Sequence, residues 1–384
     1  MKFSFVSLKT TIAWRYNMNR YALIALILLI GACVDRIDFN VGEASNYAIV
    51  IDGFISDQPG PYQINVNRAF DIESKLSVKT PLSVKRLVIH DNEGTQEQLK
   101  SIAQGVYQTD PNGIRGKIGK AYKLEIELLD GSVYESVPDT LLPSGSVDSV
   151  YFKQSSFTGP DGSSRPGFDV YFDSSVGEND SFHYLWKFVG TYQIETNPES
   201  YDTLCVEGRC PKPKPCSGYR SDGSELIKLR ECECCTCWVN FFNDKLIMSD
   251  NELIEADQFT NIKAAIVPIN AWTFMHKVHA EVRQMSLSPR AFAFWKAVKA
   301  QKEAVSSLFQ PVSGKISSNF FQIRGTGGPI EGIFYATSIR SKAIYITPFD
   351  VHPPNLVTPV EVLFINDCRK AFPYSKIERP DYWN

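Results

Sequence analysis

The stretch Tyr122-Lys-Leu-Glu-Ile-Glu-Leu-Leu-Asp-Gly131 decides the fold class of this 384-residue chain. Its first seven residues place an apolar side chain at every second position, with lysine or glutamate between them. This is the period of a half-buried β-strand. Asp130-Gly131 then separates this strand from a second alternating run at Val133. An Asp-Gly pair between two such runs predicts a β-hairpin with a type I′ turn, in which both central residues have positive φ.

Alternating runs also occur on the N-terminal side of this hairpin. Short strand-like runs bounded by turn residues extend back to Tyr47. Short strands with regular turns over about a hundred residues predict a β-sandwich. We therefore assign residues 47–140 to an N-terminal sandwich domain, and we place the domain boundary in the Pro-, Ser- and Gly-rich segment 138–146.

Residues 146–384 carry a second set of alternating runs. Residues 168–172 and 184–194 both repeat apolar side chains at every second position. This pattern predicts a second sandwich, interrupted by a Cys-rich insertion at residues 197–237. The sequence thus predicts a mainly β protein with two immunoglobulin/fibronectin-like β-sandwich domains.

One amphipathic helix is predicted at residues 289–308 of the second domain. Ser288 is a candidate N-cap, and Pro289 suits the first helical position, where a missing N–H costs nothing. Apolar residues then recur near one face of the helix, at Ala291, Phe294, Trp295, Val298, Val305 and Leu308. We expect this face to pack on a sheet rather than to bind a partner.

The N-terminus has the three parts of a bacterial lipoprotein signal. The residues before Tyr21 include four basic and no acidic side chains, and Tyr21–Ile30 is a nearly unbroken apolar run. This run is too short to span a bilayer as a helix, which requires about 20 residues. Ile30-Gly-Ala-Cys33 resembles the bacterial lipobox. We therefore assign residues 1–32 to a cleaved lipoprotein signal peptide.

Cys33 is the predicted lipidation site and the first residue of the mature chain. Acylation with chains such as palmitate would anchor the protein, since each buried CH₂ contributes about 0.8 kcal/mol. The polar residues 33–46 are predicted to form a tether between the lipid and the folded domains. Met1 and Met18 are both candidate start residues.

The charge balance excludes one class of partner. Residues 1–32 hold four of the 40 basic residues and none of the 43 acidic ones, so their removal changes the formal net charge from −3 to −7. Nucleic-acid binding typically requires a basic surplus, and we therefore expect no nucleic-acid partner.

Eight cysteines follow the predicted lipidation site, namely Cys205, Cys210, Cys216, Cys232, Cys234, Cys235, Cys237 and Cys368. An even number of cysteines in an exported chain predicts disulfides, up to four of them. Such bridges would hold the polar, proline-rich insertion together. A bridge from Cys368 to the insertion would tie the C-terminal tail to the second domain.

A copper or zinc site is the alternative fate of four of these cysteines. Four thiols lie within six residues, at Cys232, Cys234, Cys235 and Cys237. This density suits a soft metal ion, although an oxidising compartment competes for the thiolates. Disulfides are therefore the favoured prediction.

Sequence motifs of common enzyme classes are missing from the chain. It has no Gly-x-Ser-x-Gly elbow, no phosphate-binding loop and no His-Glu-x-x-His. His276 and His279 lie in a run that alternates from Trp272 to Val282, so we expect a β-strand that directs the two imidazoles to opposite faces. We predict a protein that is not an enzyme and binds no cofactor. A surface hydrolase with two dispersed acidic residues is an alternative.

Several short motifs occur in a characteristic order along the mature chain. They are Val50-Ile-Asp-Gly-Phe-Ile-Ser-Asp-Gln-Pro-Gly-Pro-Tyr62, Cys237-Trp238, Gln284-Met-Ser-Leu-Ser-Pro289, Phe294-Trp295-Lys296, Asp367-Cys368-Arg369 and Arg379-Pro-Asp-Tyr-Trp383. Their order and spacing resemble a family of uncharacterised Bacteroidota outer-membrane lipoproteins. It is a domain-of-unknown-function family that is often encoded beside TonB-dependent receptors.

This resemblance implies a location and a partner, and it brings no catalytic residues. It implies that the chain lies on the periplasmic or cell-surface face of the outer membrane, beside a TonB-dependent receptor. We therefore expect a non-enzymatic accessory lipoprotein that captures a ligand for such a receptor. The alternative is a metal-handling lipoprotein that binds copper or zinc through the Cys-rich insertion.

Overall fold

A computed structural model describes residues 49–68, 80–177, 183–197, 213–221, 226–243, 245–249, 258–305, 316–328, 330–357, 367–372 and 374–383. The predicted signal peptide, Cys33, the tether, Cys205 and Cys210 lie outside these ranges. Within them, no helix is long and apolar enough to cross a membrane.

The described residues are mainly β, as the sequence predicts, with 23 strands and two α-helices. The first ten strands are β1 (Ile49–Ser56), β2 (Gln63–Arg68), β3 (Thr80–Pro81), β4 (Arg86–Asp91), β5 (Gln96–Gln98), β6 (Lys100–Ala103), β7 (Val106–Gln108), β8 (Ala121–Glu127), β9 (Val133–Ser136) and β10 (Asp139–Thr140).

The later strands are β11 (Val147–Thr158), β12 (Ser164–Ser175), β13 (Tyr184–Glu195), β14 (Tyr219–Ser221), β15 (Leu226–Lys228), β16 (Thr236–Phe242), β17 (Ile247–Met248), β18 (Gln258–Pro268), β19 (Val278–Ser286), β20 (Phe320–Arg324), β21 (Ile330–Thr337), β22 (Ile339–Ile346) and β23 (Ser375–Lys376). The helices are α1 (Pro289–Val305) and α2 (Cys368–Ala371), and short 3-10 turns lie at Pro215–Ser217, Pro348–Asp350 and Pro354–Leu356.

Two sheets form the first sandwich. Sheet A has the strand order β21-β1-β2-β7-β6, with β3 paired to β2, and sheet B has the order β20-β9-β8-β4-β5, with β10 paired to β8. Alternate side chains of both sheets point into a common core, because successive residues of a strand face opposite sides. On β8, for example, Tyr122, Leu124 and Ile126 are buried while the residues between them are half-buried.

The predicted hairpin is present, but its turn differs from the expected type I′. Ile126 pairs with Tyr134 across β8 and β9. The Leu128 N–H donates to the Ser132 carbonyl at 2.9 Å, so the loop contains three residues rather than two. Of these three, only Gly131 has positive φ, at 84°. This geometry is typical of a three-residue hairpin loop, in which glycine takes the left-handed position.

The domain boundaries predicted at residues 47–140 and 146–384 are wrong in one respect. Strand β21 pairs in parallel with β1, from Ile49 opposite Ile330 to Ser56 opposite Thr337. Strand β20 pairs with β9, and Phe334 is fully buried in the core of the first sandwich. The first sandwich is therefore completed by strands that follow the second one in sequence. Periodicity identifies a strand without identifying its partner, which is why the sequence did not reveal this.

The predicted boundary segment 138–146 is packed against the first sandwich and is not an exposed linker. Strand β10 pairs with β8, and Leu141 is fully buried in the first core. The side chain of Asp139 is also buried. This segment therefore fixes the two sandwiches to each other.

The second sandwich is formed by sheet C, of order β11-β12-β18, and sheet D, of order β22-β19-β13-β16-β23 with β17 paired to β13. Its core is aromatic. Phe168 and Phe172 project from sheet C, and Trp186 and Phe188 project from sheet D. The ring of Phe259 packs edge-on against Trp186, with 4.9 Å between the ring centroids. The Cys-rich insertion adds a separate two-stranded sheet, β14-β15.

Helix α1 begins where the sequence predicts. The Ala291 N–H donates to the Ser288 hydroxyl at 3.2 Å, as expected for an N-cap. Ala291 is buried, and Phe294 and Trp295 are half-buried against a small apolar cluster that includes Leu185 and Met285 of sheet D. This packing matches the expectation that the apolar face covers a sheet. The described helix ends at Val305, and residues 306–308 of the prediction lie outside the described ranges.

The strand expected from Trp272 starts later than predicted. Residues 271–276 form turns, because the Asn270 side chain accepts hydrogen bonds from the N–H groups of Trp272 and Thr273 at 3.0 and 2.9 Å. Strand β19 starts only at Val278. An asparagine that binds the following backbone N–H groups offers an alternative to the ladder of a sheet.

Candidate ligand-binding cleft

Four short segments meet between the two sandwiches and hold them together by hydrogen bonds. We call them the joint, and they are residues 56–58, 139–142, 286–288 and 338–340. The carboxylate of Asp57 accepts hydrogen bonds from the Ser338 hydroxyl at 2.7 Å, the Ile339 N–H at 2.9 Å and the Arg340 guanidinium at 2.6 Å. Burial alone would raise the pKa of Asp57, but these donors outweigh it and hold the pKa below its usual range. Asp57 is therefore an ionised link between β1 and β22.

A second carboxylate lies deeper in the joint. Asp139 accepts hydrogen bonds from the Ser288 hydroxyl and from the Ala336 N–H, the latter at 2.9 Å. Burial raises the pKa of this carboxyl despite those donors. Beside it, the Ser286 hydroxyl donates to the Leu142 carbonyl at 2.7 Å. The joint is thus built from satisfied polar contacts between distant parts of the chain, which hold the two sandwiches in one arrangement.

A cleft of about 470 Å³ opens beside the joint. One wall is the loop after β1, where the Tyr62 hydroxyl donates to the Ser56 carbonyl at 2.6 Å. The other wall is the outer face of sheet D. The lining residues are Phe54, Ser56, Gln58, Pro59, Pro61, Tyr62, Glu281, Arg283, Ile339, Arg340 and Ser341. A concave site of this volume, with an aromatic ring and a few convergent polar groups, is typical of a small-molecule site.

The charged groups of the cleft are mostly paired. Arg283 donates to Glu281 at 2.6 Å, and Arg340 is bound to Asp57. Both arginine side chains keep more than a third of their surface exposed, so they remain accessible from the cleft. The cleft therefore presents two guanidinium groups whose positions are fixed by carboxylates.

A cluster of one cation and three aromatic rings adjoins the cleft. The Lys187 ammonium lies 5.5 Å from the ring centroid of Phe54 and 5.9 Å from that of Trp295. The ring centroid of Tyr335 lies 5.7 Å from that of Phe54 and 6.2 Å from that of Trp295. Burial lowers the pKa of Lys187, because the charged form loses hydration. Such cation–π contacts compensate a part of that loss.

The Cys-rich insertion is cross-linked by disulfides. Cys216 bonds to Cys234, Cys232 to Cys235, and Cys237 to Cys368, with Cα–Cα distances of 5.6, 5.6 and 6.0 Å. The four cysteines of the alternative metal site are thus divided among three bridges. A metal-binding cysteine must be a thiolate, so these bonded sulfurs do not form a four-thiolate centre.

One further group of potential metal ligands lies in this region. The sulfurs of Cys216 and Cys234 lie within 4.8 Å of a carboxylate oxygen of Asp367. The two sulfurs are bonded to each other, and Asp367 binds the Arg369 guanidinium at 2.6 Å. All three groups therefore already have bonding partners within the protein.

The C-terminal residues 374–383, which we call the strap, cross the outer face of sheet D. Ser375 and Lys376 pair with β16. The ring of Tyr382 stacks on His279 of β19 with 4.1 Å between centroids, and the Trp383 indole N–H donates to the Gln193 side chain at 2.8 Å. The strap thus covers the end of the sheet opposite to the cleft.

His276 and His279 lie in different environments. His279 stacks on the strap, whereas His276 lies in the preceding turn with its Nε2 atom 3.0 Å from a carboxylate oxygen of Glu195. Sequence reasoning missed the groups that do converge, namely Asp57, Asp139, Lys187, Arg283 and Arg340. Only Asp57 lies in one of the motifs that carry the family resemblance, and the others have no local signal.

A comparison with known protein families assigns the chain. The family model described as "Domain of unknown function (DUF4249)" matches residues 34–343. The chain belongs to this family. A search of curated proteins finds no match. The DUF4249 match includes every lining residue of the cleft and ends before Cys368 and the strap, so the cleft lies in the part of the chain that the family model describes.

Proposed function

We propose that this DUF4249 protein is a non-enzymatic outer-membrane lipoprotein that captures a ligand for a TonB-dependent receptor. The observation that carries this proposal is the cleft between two sandwiches that are held together by satisfied polar contacts. A site between fixed walls loses little conformational entropy when a ligand binds, which favours affinity.

The N-terminal sequence supports the membrane anchor. The family match begins at residue 34, directly after Cys33. This is the arrangement expected if residues 1–32 are removed and Cys33 carries lipid. Anchoring would confine the cleft to the membrane plane and raise its effective concentration near a receptor, without requiring a high affinity between the two proteins.

Purification of the native complex tests the proposed partnership. The full chain, with a C-terminal affinity tag, would be isolated from outer membranes in mild detergent. We expect a TonB-dependent receptor in near-stoichiometric amount, and an acylated Cys33 as the first residue in mass spectrometry. The matched control is Cys33→Ser, which should leave the membrane fraction and lose the receptor. A lipidated wild-type protein that brings down no such receptor would refute the proposal.

Thiol titration separates this function from metal handling. Ligand capture by the cleft requires no free thiol, whereas a copper or zinc site requires thiolates at Cys232, Cys234, Cys235 and Cys237. We expect no alkylation of the eight mature cysteines after Cys33 unless a reductant is added, and no bound metal by elemental analysis. Free thiols together with stoichiometric copper or zinc would favour the alternative.

A further inference from the structure

We infer that the cleft takes a monoanionic organic acid, whose carboxylate binds at Lys187 and Arg283 and whose apolar body packs against Phe54 and Trp295. The inference rests on the proposed ligand-capture function and names the class of ligand. The carboxylate belongs either to a small free acid or to the C-terminus of a short peptide, since both present the same chemistry.

The two cations are neighbours on one face of sheet D. Lys187 of β13 and Arg283 of β19 are directly opposite each other in the strand register. Their sequence neighbours Trp186 and Val282 point into the core of the second sandwich, so Lys187 and Arg283 point to the outer face. Like charges at directly opposite positions destabilise a sheet. An anion bound between Lys187 and Arg283 would relieve this repulsion.

Lys187 differs from the two arginines in its acidic neighbours. Arg283 is paired with Glu281, and Arg340 is paired with Asp57. Among the described residues, Lys187 takes part in no ion pair, and the acidic group with the largest effect on it is the exposed Asp52. The half-buried ammonium is therefore held by aromatic rings, and it lies beside Phe54, which lines the cleft, although Lys187 itself does not.

The surrounding rings would hold the apolar part of the ligand. Phe54 lines the cleft and is also in contact with Lys187, so it joins the cleft to the aromatic cluster. The ring of Trp295 lies 6.2 Å from that of Tyr335 and 5.9 Å from the Lys187 ammonium. An acid with an aromatic or aliphatic body would thus find a cation and ring faces at matching positions.

The acidic groups of the same wall limit the charge of the ligand. Glu281 lines the cleft, and the carboxylate of Asp57 lies behind Arg340. A second negative charge on the ligand would approach these carboxylates and be repelled. A single carboxylate would be neutralised by Lys187, which forms no ion pair within the described part of the chain and has only Asp52 as an acidic neighbour that affects it. The charge pattern therefore favours a monoanion over a phosphate or a dicarboxylate.

Calorimetric titration of the full mature lipoprotein in nonionic detergent tests the inference. The probes are 2-naphthylacetate and the N-acetylated tripeptide Ala-Ala-Phe, both monoanions, each compared with its neutral amide. We expect at least one acid to bind about ten-fold more tightly than its amide, since a charge-assisted contact contributes about this much. Which acid is preferred distinguishes the small-molecule source from the peptide source. Equal binding of acid and amide, or no binding of either acid, would overturn the inference.

Substitutions test whether the carboxylate of the ligand binds at Lys187. Lys187→Gln should abolish the preference for the acid, and Lys187→Arg should retain it. The matched control is Lys263→Gln, which removes a strand lysine of sheet C that is paired with Asp169 at 2.7 Å. This control should leave the preference unchanged. If Lys187→Gln does not fold, Arg283→Gln should still weaken binding of the acid relative to the amide. An unchanged preference in the folded variants would refute the site.

The experiments distinguish a failure of this inference from a failure of the proposed function. Receptor recovery and acid binding are measured independently, on the same wild-type preparation. Acid binding without receptor would leave the site in place and remove the partnership. Receptor recovery without acid binding would leave the partnership in place and refute the inference about the ligand.

Discussion

The two ends of the outer face of sheet D are covered in different ways. At one end, the first sandwich and α1 cover the sheet through an apolar cluster and the hydrogen bonds of Asp57, Asp139 and Ser286. At the other end, the ten-residue strap is held by Tyr382, Trp383 and the nearby Cys237–Cys368 disulfide. A short segment buries too little surface to offset its ordering entropy, so a covalent link is needed there.

The largest effect is expected at the strap. The double variant Cys237→Ser/Cys368→Ser opens a loop with a sequence separation of 131. In the chain-entropy model this lowers the free energy of unfolding by about 5 kcal/mol. The measurements are denaturant unfolding and limited proteolysis, in which we expect cleavage within residues 374–383.

The matched control for this variant is Cys232→Ser/Cys235→Ser. It removes a disulfide with a sequence separation of only 3, so the same model gives a loss of about 2 kcal/mol. Equal losses in the two double variants would show that loop length does not determine the stabilisation of the strap.

An intermediate effect is expected at the joint. Asp57→Ala removes a mostly buried carboxylate from an ion pair and leaves Arg340 without its partner. This should lower the free energy of unfolding by about 3 kcal/mol. Chemical denaturation measures the loss, and titration of ligand into the variant shows whether the cleft is preserved. A loss within experimental error would mean that the apolar cluster alone holds the sandwiches together.

The same carboxylate predicts a pH dependence. Because the pKa of Asp57 is lower in the folded than in the unfolded chain, its stabilisation is fully present above about 3.8 and is lost as the pH falls through the folded value. Asp57→Asn should remove this contribution, so the stability difference between wild type and variant should shrink below pH 4. A difference that is constant with pH would contradict the assignment.

The smallest effect is expected at Ser288, where the helix meets the joint. Ser288→Ala removes the N-cap of α1 and a hydrogen bond to Asp139, and a loss of about 1 to 2 kcal/mol is typical of such a change. Ser288→Thr keeps the hydroxyl and is the control that should retain most of the stability. Thermal unfolding of the two variants measures this difference.

The local elements were largely predictable. Alternation identified β8, β9 and the first part of β13, and Ser288-Pro289 marked the start of α1, because both signals depend on neighbouring residues. The strand predicted from Trp272 failed because the Asn270 side chain binds the following backbone, which periodicity does not register. The cysteine pattern suggested disulfides without indicating which of them form.

The sequence by itself determined the period of the strands and the cap of the helix, and it predicts the lipobox, since each of these signals lies within a few consecutive residues. Only the tertiary structure decided that β21 completes the first sandwich and that Lys187, Arg283 and Phe54 meet beside one cleft. These contacts join residues far apart in the chain. Their energies depend on burial and mutual orientation, which no local pattern of residues specifies.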